Sequence, residues 1–200
     1  MNITSIAGSG YIKELNDITF NLLDLKEDFV LTAGRAIRGT EANKISAGKI
    51  ILTANDGIGE VGGIPLNVDT PSSNTIIAIN NHTGSIHIVN NSPTVTFENI
   101  INNASNEPIF LISQGKACFN IVISNNGDIT LTARADAFFN YIEAGSATIK
   151  VDSSGAIEEL DNDSEVEFVA LNLDLDARNG IGTFDSLEIS AATISADNSS

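Results

Sequence analysis

Chemistry needs acids, bases, nucleophiles or ligands at fixed spacing, and this chain offers few candidates. Its densest charged stretch is Asp161-Asn162-Asp163-Ser164-Glu165-Val166-Glu167. Alternating carboxylates in such a run could collect Ca²⁺, which takes oxygen ligands from flexible loops. The EF-hand glycine and terminal ligand spacing are missing, and so is the Gly-Gly-x-Gly-x-Asp nonapeptide of calcium β-rolls. The run therefore reads as a solvated turn. His82 and His87 are the two histidines. With no nucleophile in a defined turn they form no triad, and with no cysteine partner they suggest no zinc site. Cys118 is the single cysteine, so no intrachain disulfide framework exists, and nothing near it in sequence would activate the thiol. Gly57-Ile58-Gly59 and Gly180-Ile181-Gly182 are not phosphate cradles, because no helix follows them. No catalytic residue, cofactor site or metal site is assigned.

The elements that would position any such residue are written in a repeated motif. Leu52-Thr53-Ala54-Asn55-Asp56-Gly57-Ile58-Gly59 returns as Leu31-Thr32-Ala33-Gly34-Arg35-Ala36-Ile37 and as Leu175-Asp176-Ala177-Arg178-Asn179-Gly180-Ile181-Gly182. A partial copy is Leu131-Thr132-Ala133-Arg134. Fixed internal spacing of this kind marks a repeat architecture. Around the motif apolar and polar residues alternate. Ile50, Leu52 and Ala54 share one face, as do Ile129, Leu131 and Ala133, and Leu171, Leu173, Leu175 and Ala177. A period of two is the signature of a strand with one buried face, and no helical stripe with caps competes with it. The chain is expected to be all-β.

Corners are marked by Gly48, Gly84 and Gly127 at strand starts, and by Asn80-Asn81, Asn102-Asn103 and Asn125-Asn126. Asparagine tolerates the left-handed conformation, and stacked asparagines can bond along a ladder. Their recurrence, with the distances from Leu31 to Leu52, Leu52 to Leu131 and Leu131 to Leu175, suggests one, four and two coils of about 20–22 residues. The expected fold is a β-solenoid, in which each coil buries its inward face only against its neighbours. A longer register relates Leu31, Ile37 and Ile45 to Leu175, Ile181 and Ile189. Residues 1–200 then form a single solenoid segment, with one large repeat over 1–144 and the start of a second over 145–200. Ending within that copy, the segment reads as part of a longer array with a frayed C-terminus.

Bulk composition agrees. Hydrophobic residues make up 42% of the chain, too many for disorder. No apolar run approaches a membrane span, so direct membrane insertion is not expected. Twenty-six acidic against ten basic residues give a net charge of −16, which argues against nucleic acid or anionic lipid as partners. The N-terminal Met1-Asn2-Ile3-Thr4-Ser5-Ile6-Ala7-Gly8 reads as strand and turn rather than as a signal peptide.

The Leu-Thr-Ala-x-x-Gly-Ile-Gly motif after a Gly-x-Ile strand resembles the repeats of filamentous-haemagglutinin-like bacterial adhesins, especially very large repetitive surface proteins. The likeness rests on residues 48–59, 127–133, 171–182 and, more loosely, 29–39. It implies a right-handed parallel β-helix and an extracellular or outer-surface location. The implied duty is that of a non-catalytic structural or adhesive rod. Its partners would be surface glycans or proteins of host cells, or neighbouring repeats of the same chain. The Asn-Pro-Asn-Gly and Asn-Pro-Asn-Leu signatures of two-partner exoproteins are absent. Residues 90–123 depart from the pattern, and a protruding loop is expected within 90–108. The rival reading is a polysaccharide-active β-helix enzyme, lyase or hydrolase, built on Arg134 and Asp136 with Arg178 and Asp176. A third is an inert orphan repeat fragment. Convergence of those side chains in one deep cleft would favour the enzyme.

Overall fold

Short runs of β-branched and aliphatic residues, broken every few positions by Gly, Asn, Ser or Asp, give short strands and sharp corners. The computed structural model describes residues 2–4, 8–59, 63–71, 74–161 and 163–198. Met1, Ser5, Ile6, Ala7 and Asn162, on which parts of the N-terminal and acidic-run readings fall, lie outside the described residues. In chain order the strands are β1 (Asn2–Thr4), β2 (Gly10–Glu14), β3 (Ile18–Asp24), β4 (Phe29–Ala33), β5 (Ile37–Ser46) and β6 (Lys49–Ala54). They continue with β7 (Leu66–Asp69), β8 (Thr75–Asn80), β9 (Ile86–Asn90), β10 (Thr94–Asn102), β11 (Ile109–Ser113) and β12 (Lys116–Ser124). The last six are β13 (Ile129–Ala133), β14 (Ala137–Glu143), β15 (Thr148–Ser153), β16 (Ile157–Glu159), β17 (Phe168–Ala177) and β18 (Ile189–Asn198). The described residues contain no helix, and so none long and apolar enough to cross a membrane.

Every strand pairing is parallel. Odd-numbered strands up to β15 stack in one ladder and even-numbered strands up to β16 in a second. Strand β17 runs through both, meeting β14 at Phe168 and β15 from Asn172 onward. Strand β18 follows β17 in register from Ile189 to Asn198, so pairing holds to the last described residue. The result is a β-solenoid. One inward column in the odd ladder reads Ile18, Ile37, Ile58, Ile86, Ile109, Ile129, Ile149, Leu173 and Ile194, nine coils in all. From Ile37 to Ile149 these side chains have no exposed surface, and each stabilises the stack by about 1.5–3 kcal/mol.

The even ladder carries the aromatic half of the core. Its column runs Phe29, Ile50, Ile76, Phe97, Phe119, Phe139 and Glu159. The Phe97 and Phe119 rings stack at 5.2 Å, and Phe119 and Phe139 also at 5.2 Å. Phe168, entering from β17, closes the series 5.0 Å from Phe139. Without Trp, this row of phenylalanines fills the width that the aliphatic residues leave.

Pairing corrects several readings of the sequence. Leu31 pairs with Leu52, one coil apart, and Leu131 reaches Leu175 through Val151, two coils apart, as expected. Leu52 and Leu131, however, lie in different ladders, as do Leu31 and Leu175. The motif therefore encodes a corner that either ladder can use, not one position in a coil. Coils take 20 residues from Ile109 to Ile129 to Ile149. They lengthen to 26 where Ile50 pairs with Ile76 and where Ile142 pairs with Phe168. Those are the sites of insertion, whereas 90–108 holds the last residue of β9, all of β10 and short corners, with one register shift between Phe97 and Asn99.

Alternation also breaks where a strand bends. Phe119 and Val122 both point inward across Asn120 and Ile121, so Ile121 faces outward with Cys118 rather than inward with Phe119. Leu171 is likewise exposed, because β17 bends between Ala170 and Leu173. Outside one such bend, Asn140 donates to Asn120 at 2.8 Å and Asn120 donates to Glu98 at 3.2 Å. Of the three glycines at strand starts, only Gly84 takes a positive φ, 79°. Gly127 is needed for a different reason, since a Cβ there would lie 2.1 Å from the Glu107 carbonyl oxygen.

Candidate metal centre

The corners place the polar residues singled out in the sequence. Arg134 and Arg178 follow Ala133 and Ala177, which occupy the same column two coils apart with Ser153 between them. Two strand spacings put their backbones about 9.6 Å apart. The Asp136 carboxylate accepts from the Ala156 amide at 3.0 Å and caps the next coil. Arg178 and Asp176 instead share an open hollow of about 190 Å³ with Asp152, Ser153 and Ser154. Arg134 and Asp136 are not among the residues that line this hollow.

His82 is exposed at a corner, while His87 is half-buried in β9 against the Phe110 ring at 5.6 Å, and burial pushes its pKa down. Cys118 is also half-buried, and burial raises its pKa against the opposing charge of Lys116, so the thiolate is disfavoured. Gly57 and Gly59 use their N–H groups within the stack. Gly57 donates to the Asn80 side chain at 2.8 Å and Gly59 to the Ile37 carbonyl at 2.8 Å. Beside them, Arg38, Asp56, Gly84, Ser85, Glu107 and Pro108 help line a surface hollow of about 440 Å³. Its Asp56 is already paired with Arg35 at 3.3 Å.

The asparagine corner is built as a true ladder, with one change of partner. Asn80 and Asn102 are fully buried, and the Asn80 amide donates to Asn102 at 2.9 Å. The next place in that column belongs to Ser124, which puts Asn125 outside, where its side chain donates to the Asn103 carbonyl at 3.1 Å.

The acidic run does not behave as a plain solvated turn. Glu159 occupies the inward place that Phe139 holds one coil earlier, and it is only 7% exposed. Eight residues separate β16 from β17, and among them Asp163 and Glu167 return to Glu159. One carboxylate oxygen of each of the three lies within 4.8 Å of the others. Glu167 is 1% exposed and Asp163 is exposed. Local amides position the group. Asp163 N donates to Glu159 Oε1 at 2.8 Å, and Glu165 N donates to Asp163 at 2.6 Å. Across the coil boundary, Glu188 N donates to the Glu167 carboxylate while Glu167 N donates to the Glu188 carbonyl.

Glu159 Oε2, Asp185 Oδ2 and Glu188 Oε2 are buried without a hydrogen-bond partner. Burial pushes Glu167 up to about 7, helped by the Glu159 and Glu188 charges and opposed by the Glu188 amide. The Asp163 amide pulls Glu159 down, but burial and the charges of Asp185, Glu188 and Asp163 together leave it above the usual carboxylate range. Glu158, the neighbouring acid, is different: it is 2% exposed and is satisfied by Thr183 and by the amides of Thr183 and Phe184 at 3.0 and 3.2 Å.

Glu159 lies outside the acidic run, so the spacing within 161–167 does not reveal it. The available signal was Ala156-Ile157-Glu158-Glu159 standing one 20-residue coil after Asp136-Ala137-Phe138-Phe139, which places a carboxylate in an aromatic column. Compared with protein-family models, with curated proteins and with solved structures, the chain matches none.

Proposed function

We propose that the chain is a structural and adhesive rod segment of a large bacterial cell-surface or secreted protein of the filamentous-haemagglutinin-like kind. The observation that carries this reading is the unbroken parallel stacking of nine coils, with corners closed by their own backbone and asparagine or serine side chains. Such a stack holds its cross-section over a length of about 43 Å at ordinary strand spacing. It presents outward strand faces at each coil, and its net charge of −16 favours a solvated surface. Surface glycans or proteins of host cells, or adjoining repeats, are the partners that suit such a surface.

The test is direct. Beads coated with the protein are expected to retain host cells or surface glycans, while a panel of polysaccharides stays uncut. Absence of any retention would remove the adhesive half of the proposal. Release of unsaturated uronides or new reducing ends, abolished by Arg178→Ala, would replace it with a polysaccharide-active enzyme.

A further inference from the structure

We infer that Glu159, Asp163 and Glu167 form a calcium site that clamps the inserted loop between β16 and β17 onto the following coil. Two facts beyond the presence of acidic residues support this. Glu159 is more than nine-tenths buried, in a column otherwise filled by phenylalanine and isoleucine, and its Oε2 is buried without a hydrogen-bond partner among the charges of Asp163, Asp185 and Glu188. In addition, Asp185 and Glu188 bring two further unpartnered buried oxygens from the next coil. A carboxylate accepts but does not donate, and beyond the amides already bonded here three buried oxygens still lack a donor. A cation can satisfy them.

The chemistry selects the ion. All the side-chain donors are carboxylate oxygens, with no histidine or cysteine, which suits a hard cation over zinc. Two calcium–oxygen bonds span about 4.6–5.2 Å, whereas octahedral magnesium draws opposite oxygens to about 4.2 Å. The three oxygens lie within 4.8 Å of one another, inside the span that calcium bridges. A loop that supplies two of the ligands, Asp163 and Glu167, can also adjust its reach toward Glu159 at the end of β16, as calcium sites commonly do. The bound ion would join the end of β16, the loop and the start of β17, and through the paired Glu167 and Glu188 backbones it would brace the last two coils. The inference is independent of the adhesive role.

Calcium titrated calorimetrically into the full chain, after removal of divalent ions, is expected to bind at one ion per chain. It should raise Tm by roughly 5–10 °C at a hundredfold excess over Kd. The triple variant Glu159→Gln, Asp163→Asn, Glu167→Gln should lose both effects. Asp163→Asn, a change at an exposed position, should weaken binding at least about tenfold and serves if the triple variant does not fold. No heat and no shift in Tm for the unaltered chain would overturn the proposal. So would equal calcium binding by the unaltered chain and both variants, which would put the ion elsewhere on the acidic surface. Magnesium binding as tight as calcium would overturn the choice of ion.

Discussion

Two buried polar places in one solenoid are finished in opposite ways. At the Asn80–Asn102 corner, each amide both donates and accepts. Asn80 takes the Gly57 amide and gives to Thr83, Gly84 and Asn102, at 2.7 to 2.9 Å. Asn102 takes the Ala104 amide and gives to the carbonyls of Gly84, Glu107 and Pro108. At the β16–β17 insertion and the β17–β18 corner beside it, carboxylates that only accept meet, and three buried oxygens are left over. The fold tolerates a neutral side chain that can close its own corner. A charged one makes it depend on something positive from outside, a proton or a metal ion.

Exchanging the chemistry of the two places should give the largest effects. Asn102→Asp would aim a carboxylate at three carbonyl oxygens and remove the donor that serves them. Breaking a buried polar arrangement so that a charge is left uncompensated costs about 3–5 kcal/mol. Denaturant melts are expected to show that loss at neutral pH, with part of it recovered in acid as the new carboxyl protonates. A melt indistinguishable from the unaltered chain would mean that water already reaches this corner.

The converse change acts with the opposite sign. In calcium-free buffer the folded chain holds a proton on Glu167 up to about pH 7, while the unfolded chain releases it near 4.5. Between those values the native state binds more protons, so stability falls as pH rises and levels off above about 7. After allowance for solvent screening, the decline should be about 1–2 kcal/mol. Glu167→Gln should flatten that slope and leave the chain more stable than its parent at pH 8 without calcium. A slope unchanged by the substitution would assign the pH dependence to other groups.

How far the sequence discloses these two places depends on what each requires. The strands are written in local alternation, so Ile50, Leu52 and Ala54, or Ile129, Leu131 and Ala133, are readable from a few residues. Paired asparagines announce corners for the same local reason. Coil register is not local. Leu52 and Leu131 carry the same motif yet sit in different ladders, because a corner is chemically the same wherever the chain turns. Two-residue bends, such as Asn120-Ile121 and Leu171-Asn172, shift the inward phase without any glycine or proline to mark them. The acidic site combines both difficulties. Its key residue, Glu159, becomes conspicuous only once Phe139 is known to precede it by one coil.

The smallest expected effect separates burial from charge as the cause of the contrast. Asp174 on the outer face of β17 pairs with Lys150 at 3.6 Å, and both side chains are about half exposed. Such a pair is screened by water and salt, so Lys150→Ala should change stability by less than about 0.5 kcal/mol. Asp69 is a graded case: burial pushes its pKa up, but the Ser92 hydroxyl and Lys44, 3.1 Å away, together hold it below the usual range. Lys44→Ala should therefore cost somewhat more, about 1 kcal/mol, because it removes the cation from a partly buried carboxylate. The ordering expected from thermal melts at one ionic strength is a negligible loss at Lys150, a modest loss at Lys44, and a gain at Glu167→Gln. If Lys150→Ala were the most damaging of the three, local charge density along the rod would govern stability, and the distinction drawn from burial at Glu159 and Glu167 would fail.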